Sequence, residues 1–187
     1  LREEARQQNR AFLHRVRTGR PFGILKWAMS LDGRTALPNG ASQWISSPPA
    51  RSWVHHLRVG VDAVIVGGHS VNVSGGVMEV QREDGVYPTW VLCSNSGFAS
   101  DQPIWSQPNT PKWLVSREAL TADRCPGGVR NVLYGGEGVA KAAVEACQAA
   151  GFKRVLLFGG GIINRAFYAA GVVDELILTV CPVVVGR

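Results

Sequence analysis

Apolar residues along this chain fall into two kinds of run. Short, nearly continuous stretches such as Val64-Ile65-Val66 are bounded by glycine-rich or proline-rich segments, as strands buried on both faces require. Residues 22–28, 62–66, 89–93, 112–115, 129–134, 154–158 and 176–185 are the strand candidates. Elsewhere apolar residues recur at helical spacing. Residues 3–17 give an amphipathic helix that ends at Gly19, with Pro21 beyond it as a stop signal. Ser47-Pro48-Pro49 supplies a hydroxyl N-cap and prolines for a first turn. The helix it opens carries Ala50, Trp53, Val54, Leu57 and Val61 on a face directed at a core. Residues 139–150 and 161–170 are the remaining helices. Residues 29–46, 67–88 and 94–111 read as loops, with Pro38-Asn39-Gly40 as an explicit turn. The alternation predicts an α/β sheet with right-handed crossovers and no internal repeat.

Composition narrows the class. With 187 residues, 45% hydrophobic and 18% charged, the chain suits one globular domain with a short extension. No apolar run approaches the roughly 20 residues that span a bilayer, and no secretory leader is visible. The chain opens on Leu1 and closes on Val183-Val184-Val185-Gly186-Arg187, just past a strand candidate, so it is read as a segment of a longer protein. Cys93, Cys125, Cys147 and Cys181 are widely spaced and read as reduced, mostly buried thiols. A zinc deaminase needs His-x-Glu and Pro-Cys-x-x-Cys, and neither occurs. The net charge of +6 is concentrated early: residues 1–58 hold ten Lys and Arg against three Asp and Glu. Such a half attracts phosphorylated ligands or nucleic acid, although Arg2, Arg6, Arg10 and Arg17 also suit a solvated helix face.

Candidate chemistry gathers where strands end. Lys26 to Arg34 (Lys-Trp-Ala-Met-Ser-Leu-Asp-Gly-Arg) and then Ser42-Gln43-Trp44-Ile45-Ser46 form a chemically rich segment after a buried strand. Lys26 either snorkels to the rim or faces a ligand in the sheet crevice, and Asp32 either caps the turn or orients Lys26. Val155 to Asn164 runs a buried strand through Gly159-Gly160-Gly161 into a helix, which admits an anion to backbone N–H groups or serves only as a tight turn. Asn164 stands where a dinucleotide fingerprint needs its third glycine. Arg58 is either a bidentate phosphate donor or a charge at a helix C-terminus. Ser70 reads as a phosphate donor or a plain loop serine. His14, His55, His56 and His69 have no metal spacing, and no Gly-x-Ser-x-Gly elbow exists for acyl transfer.

Taken together these segments resemble the reductase domain of the bifunctional riboflavin-biosynthesis deaminase/reductase family, RibD. The resemblance rests on Asn9 to Leu13, Thr18 to Phe22, Leu25 to Thr35, Ser42 to Ser46, Leu57-Arg58, Asp62 to Gly67, the glycine triplet and Ala170 to Leu176. It implies a dihydrofolate-reductase-like α/β fold with a mixed, mostly parallel sheet flanked by helices and lacking its closing C-terminal strands. Residues 1–20 would be a linker helix following a deaminase domain, and residues 21–187 the reductase domain. The implied activity is NADPH-dependent reduction of 5-amino-6-(5-phosphoribosylamino)uracil to its ribitylamino form. The implied setting is a cytoplasmic homodimer, or a plastid one in a plant or alga, with an upstream deaminase, a phosphorylated pyrimidine substrate, no metal, no nucleic acid and no membrane.

Residue by residue, the resemblance makes Lys26 and Asp32 the catalytic pair. Ala28, Trp44, Ser70, Ser74, Ser94, Gly160, Gly161, Ile162, Ile163, Asn164, Arg165 and Ala166 would line the cofactor site. Ser42, Arg58, Met78, Gln81, Arg82 and Phe158 would meet substrate. Three positions depart from the family pattern: Ser74-Gly75-Gly76 replaces an Asp-Asp-Pro, Gln81 stands for an arginine with Arg82 beside it, and Phe158 stands for a glutamate. Two further readings therefore stay open, a dihydrofolate-reductase-like enzyme of another substrate and a non-catalytic nucleotide-binding or oligomerisation module.

Overall fold

Each short apolar run becomes a strand of one sheet. The computed structural model describes residues 2–41, 44–73, 86–107 and 109–186. The strands are β1 (Phe22–Ser30), β2 (Ala63–Gly67), β3 (Thr89–Cys93), β4 (Lys112–Ser116), β5 (Arg130–Leu133), β6 (Arg154–Leu157) and β7 (Glu175–Cys181). The helices are α1 (Arg2–Gln8), α2 (Arg10–Thr18), α3 (Pro48–Val59), α4 (Gly68–Val73), α5 (Pro103–Ser106), α6 (Val139–Ala149) and α7 (Gly161–Ala169). Among the described residues the sheet has seven strands in the order β5-β4-β3-β2-β6-β1-β7. Every pairing is parallel, so the antiparallel part expected of a mixed sheet is not found among the described residues. Parallel pairing puts all the carboxyl ends of the strands on one edge, where ligands of open α/β sheets bind.

Successive strand residues point into two different cores, which explains the continuous apolar runs. Leu25, Ile65, Val91, Val155 and Leu157 pack with Ala143, Val144 and Cys147 of α6 and Phe167 of α7. Ile24, Val64, Val66, Leu92 and Leu156 pack on the other face with Ala11 of α2, Val71 of α4 and Ile104 of α5. Leu57 of α3 packs on that second face too. Cys93, Cys147 and Cys181 are buried free thiols, and burial pushes Cys93 and Cys147 up to about 12. No helix among the described residues is long and apolar enough to cross a membrane.

Four expectations change in detail. The single helix over residues 3–17 is two helices that break at Asn9, whose side-chain amide donates to the Ala5 carbonyl at 2.9 Å. Local side-chain bonding of this kind competes with the helix ladder. Trp53 is 48% exposed, because α3 turns Val54 and Leu57 inward and leaves Trp53 outside that face. The stretches read as loops contain the short helices α4 and α5. Strand β7 ends at Cys181, four residues before the expected limit at Val185.

The amino ends of β1 and β7 are tied by polar groups. Asp174 accepts from the Gly23 backbone N–H at 2.8 Å and from both Arg20 terminal nitrogens at 2.7 Å. Gly23 has to be glycine here: a Cβ would lie 2.2 Å from the Val172 carbonyl oxygen. At the carboxyl end, Asp32 locks the turn after β1 onto residues 183–186. Its carboxylate accepts from the Ser30 hydroxyl at 2.6 Å, the Val185 N–H at 3.1 Å and the Gly186 N–H at 2.9 Å. The Leu31 N–H also donates to the Val183 carbonyl at 2.8 Å.

Two outcomes are expected. Leu156→Ala, at a fully buried position, should lower unfolding free energy by ~2–5 kcal/mol in urea titration, whereas Ile162→Ala, at a position 85% exposed, should change it little. The Ser30 hydroxyl first, then the Val185 and Gly186 N–H groups, hold the Asp32 carboxyl down to about 2. Its stabilising effect is therefore full above the ordinary value of 3.8 and is lost as pH falls towards about 2. Asp32→Asn should remove that part of the acid limb, and amide exchange at Val185 and Gly186 should quicken at neutral pH; unchanged exchange would count against the lock.

Candidate functional site

The sheet parts at one place. β1 pairs with β6 only from Phe22 to Leu25, and with β7 from Ile24 to Ser30. Past Leu157 the chain stays with β2 instead, where the Phe158 N–H donates to the Ile65 carbonyl at 2.9 Å. From Lys26 onward, then, β1 follows β7 while the chain beyond β6 follows β2, and a notch opens between Lys26 and Phe158. Lys26 points to the face that α3 covers, on the same side as Ile24 and Leu156. Arg58, in the last turn of α3, reaches the same spot.

Lys26 is 7% exposed, and its Nζ lies 5.7 Å from the centre of the Phe158 ring. The Arg58 Cζ lies 4.3 Å from the same centre. No carboxylate pairs with either cation among the described residues, and Arg58 Nε is buried with no hydrogen-bond partner. Burial first, and then the Arg58 charge, lowers the Lys26 pKa; burial alone lowers that of Arg58. Buried charges in proteins are normally paired. Two positive groups that lie together with no counter-ion among the described residues could hold an anion.

A cleft of about 300 Å3 continues along the carboxyl edge, lined among others by Gly67, Gly68, Ser70, Ser94, Gly160, Gly161, Ile162 and Ile163. Its glycines are required by close approach: a Cβ on Gly68 would stand 2.9 Å from the Ser94 hydroxyl, and one on Gly67 would stand 2.6 Å from Ile163 Cγ1. Gly160 caps α7 without any side-chain cap bond, so the first N–H groups of α7 are free to face a ligand. Gly160 and Gly161 are exposed, and a Cβ on Gly160 would press on the Ser70 hydroxyl at 3.3 Å. An open helix N-terminus between two hydroxyls fits the pyrophosphate of a dinucleotide.

The structure thus brings Lys26, Arg58 and Phe158 together at the notch, and Ser70, Ser94, Gly160, Gly161, Ile162 and Ile163 together in the cleft. Ala28 lies farther along β1, paired with Thr179. Asn164 follows in α7 with a buried Oδ1 that has no partner, while Arg165 is exposed and Ala166 half-buried on that helix. Trp44 is 67% exposed under the Arg51 guanidinium, 4.6 Å from its ring centre. Asp32 does not face Lys26: its carboxylate is engaged by the turn and by residues 185–186. Ser42, Ser74, Met78, Gln81 and Arg82 lie outside the described residues.

Sequence reasoning missed His69, Asn95 and Tyr134, which also line the cleft. Tyr134 donates its hydroxyl to Asn95 Oδ1 at 3.0 Å, and the Arg117 N–H donates to the same oxygen at 3.1 Å. Their signal was positional: each follows the carboxyl end of a parallel strand. A wider hollow of about 600 Å3 lies at the opposite, amino end of the strands, by Phe12, Arg15, Asp62 and Arg154. No His, Cys, Asp and Glu cluster among the described residues is arranged to hold a metal.

Comparison with known proteins identifies the family of the fold. Residues 21–187 match the RibD C-terminal domain family. The chain is 30% identical to the riboflavin biosynthesis protein RibD of Haemophilus influenzae, over all of this chain and 54% of that protein. A crystal structure of Acinetobacter baumannii RibD superposes with a TM-score of 0.82 at 27% identity, covering 98% of this chain and 52% of that one. A Thermotoga maritima protein superposes with a TM-score of 0.83 at 22% identity over 99% of this chain and 51% of that one. It is described as a diaminohydroxyphosphoribosylaminopyrimidine deaminase/5-amino-6-(5-phosphoribosylamino)uracil reductase. The chain spans about half the length of the RibD protein from Haemophilus. With the parallel α/β sheet, the glycine-lined helix terminus and the family match in agreement, this chain belongs to the RibD C-terminal domain family.

Proposed function

We propose that this chain performs the NADPH-dependent reduction of 5-amino-6-(5-phosphoribosylamino)uracil to the ribitylamino form. The observation that carries the reading is a pair of adjacent cations, the buried Lys26 and the half-buried Arg58, without a carboxylate partner among the described residues. They stand at the strand edge that also holds the open N-terminus of α7. A phosphorylated substrate supplies the missing negative charge, and the reductase described for the Thermotoga neighbour acts on a substrate of that kind.

The residues divide the work by position. The first N–H groups of α7, from Gly161 to Ile163, with the Ser70 and Ser94 hydroxyls, would hold the cofactor's phosphates. Asn164, Arg165 and Ala166 continue that wall, and Ala28 flanks the nicotinamide end with a side chain small enough to leave room. A nicotinamide cofactor held there would supply the hydride that C1′ of the open-chain imine form of the ribosylamino group accepts. Arg58 binds the substrate phosphate and so fixes C1′ in reach. Lys26 gives its proton to the imine nitrogen as C1′ becomes a CH2 group, which balances the hydride. Its burial makes that proton easier to release than that of an exposed lysine. Asp32 acts as a positioning residue, through the turn that ends β1. An upstream deaminase and a homodimer belong to the same proposal.

The test is turnover of the pyrimidine phosphate by the full chain, followed by loss of nicotinamide absorbance with NADPH and with NADH. Oxidation of NADPH in preference to NADH is expected; failure to bind either would overturn the reading, and binding without turnover would favour a non-catalytic nucleotide-binding module. Lys26→Met should reduce kcat by a factor on the order of 10²–10⁴, the span of general acid catalysis. The same variant should unfold at an equal or higher urea concentration, because it replaces an unpaired buried charge by an apolar chain of similar length. Protonated Lys26 is the active form, so activity is present below its pKa and lost as pH rises through it. That alkaline limb should fall below the ordinary lysine range, and a limb at the ordinary position would remove Lys26 as the proton donor.

A further inference from the structure

We propose that Phe158 is a positioning and specificity-determining residue, whose ring holds Lys26 and Arg58 at the notch, so that Arg58 stays available to the substrate phosphate and Lys26 to the reacting nitrogen. The inference rests on the reading of the notch as a phosphate site and adds how that site is kept charged.

The ring centre lies 4.3 Å from Arg58 Cζ and 5.7 Å from Lys26 Nζ, both within reach of cation–π attraction. The Phe158 ring is half-buried and packs against the core on the α3 face, so it is not free to swing aside. Arg58 Nε has no acceptor among the described residues, so an aromatic face occupies a place where guanidinium groups usually meet oxygen. An acidic side chain, which the RibD pattern has at this position, would also hold the cations but would cancel one of their charges. An aliphatic side chain would fill the space and hold nothing. An aromatic ring attracts cations through its quadrupole and carries no net charge. Between Lys26 and Arg58 it orders two like charges and leaves their sum undiminished.

The groups facing the notch from neighbouring elements support this assignment. Ile177 of β7 is the register partner of Lys26 and is apolar. Ser30 and Cys181, farther along β1 and β7, are buried and paired with each other in register. The Ser30 hydroxyl is already bonded to Asp32. Among the described residues, therefore, Phe158 is the group that touches both cations.

The experiment is calorimetric titration of the full chain with ribose 5-phosphate, with ribose and inorganic phosphate as separate probes. Phe158→Leu should weaken ribose 5-phosphate binding about 5- to 10-fold, on the scale of a partly desolvated cation–π contact. Phe158→Tyr should stay within about twofold of the parent, because its ring is kept. In turnover, Phe158→Leu should raise KM more than it lowers kcat. Equal affinity of the Leu variant and the parent, or a Tyr variant as weak as the Leu variant, would overturn the proposal. If the unsubstituted chain binds ribose 5-phosphate no better than ribose, the phosphate reading falls and this inference with it. Should Phe158→Leu fail to fold, the Arg58 Nε–H resonance of the unsubstituted chain decides. An upfield ring-current displacement supports the contact, and a random-coil position overturns it.

Discussion

Everything at the functional edge depends on the divergence of two parallel strands. Up to Leu25 and Leu157, β1 and β6 share a ladder; one residue later β1 runs on with β7, and the chain after β6 keeps to β2. A continuous ladder would pair Lys26 opposite Phe158 and close the sheet over the place where a ligand must enter. Divergence leaves strand-like backbone on both sides of a gap while every strand remains anchored at its other neighbour. The gap can then be lined by side chains held on a rigid scaffold, with Arg58 delivered by α3 from one face and the α7 terminus from the other.

That arrangement sets stability against binding. The chain could seat an apolar residue at position 26 without loss of packing, since Ile24, Leu156 and Ile177 already surround that face. It seats a lysine instead, and an arginine beside it, with no acid to neutralise them among the described residues. Such sites are where folded proteins accept a local penalty in order to complement a ligand. Asp32 follows the opposite logic. Its negative charge is exposed and fully engaged, and it fastens the turn that ends β1.

Much of the fold was legible because parallel strands must be apolar on both faces. Residues 89–93 and 154–157 announce themselves that way, and Gly159-Gly160-Gly161 between strand and helix announces the α7 terminus. Position alone could not choose between the two readings of Lys26, Arg58 or Asp32. Those choices turn on contacts across 100 residues of chain or more: Phe158 with Lys26, Gly186 with Asp32, Arg58 with Phe158. Trp53 was misread for a related reason, since helical periodicity marks an apolar stripe but not how much of it a sheet will cover. The break at Asn9 came from one side-chain amide, a local event that periodicity over fifteen residues averages away.

The register of β1 also fixes when the site can exist. β1 occupies residues 22–30, but its ladder partners are residues 154–157 and 175–181. β2, β3, β4 and β5 pair with chain neighbours and can zip together while synthesis proceeds, whereas β1 must wait for a loop closure more than a hundred residues long. Lys26 itself finds its ladder partner, Ile177, only once β7 has been made. Among the described strands, the ladders that hold the site are therefore the ones that close the longest loops of chain.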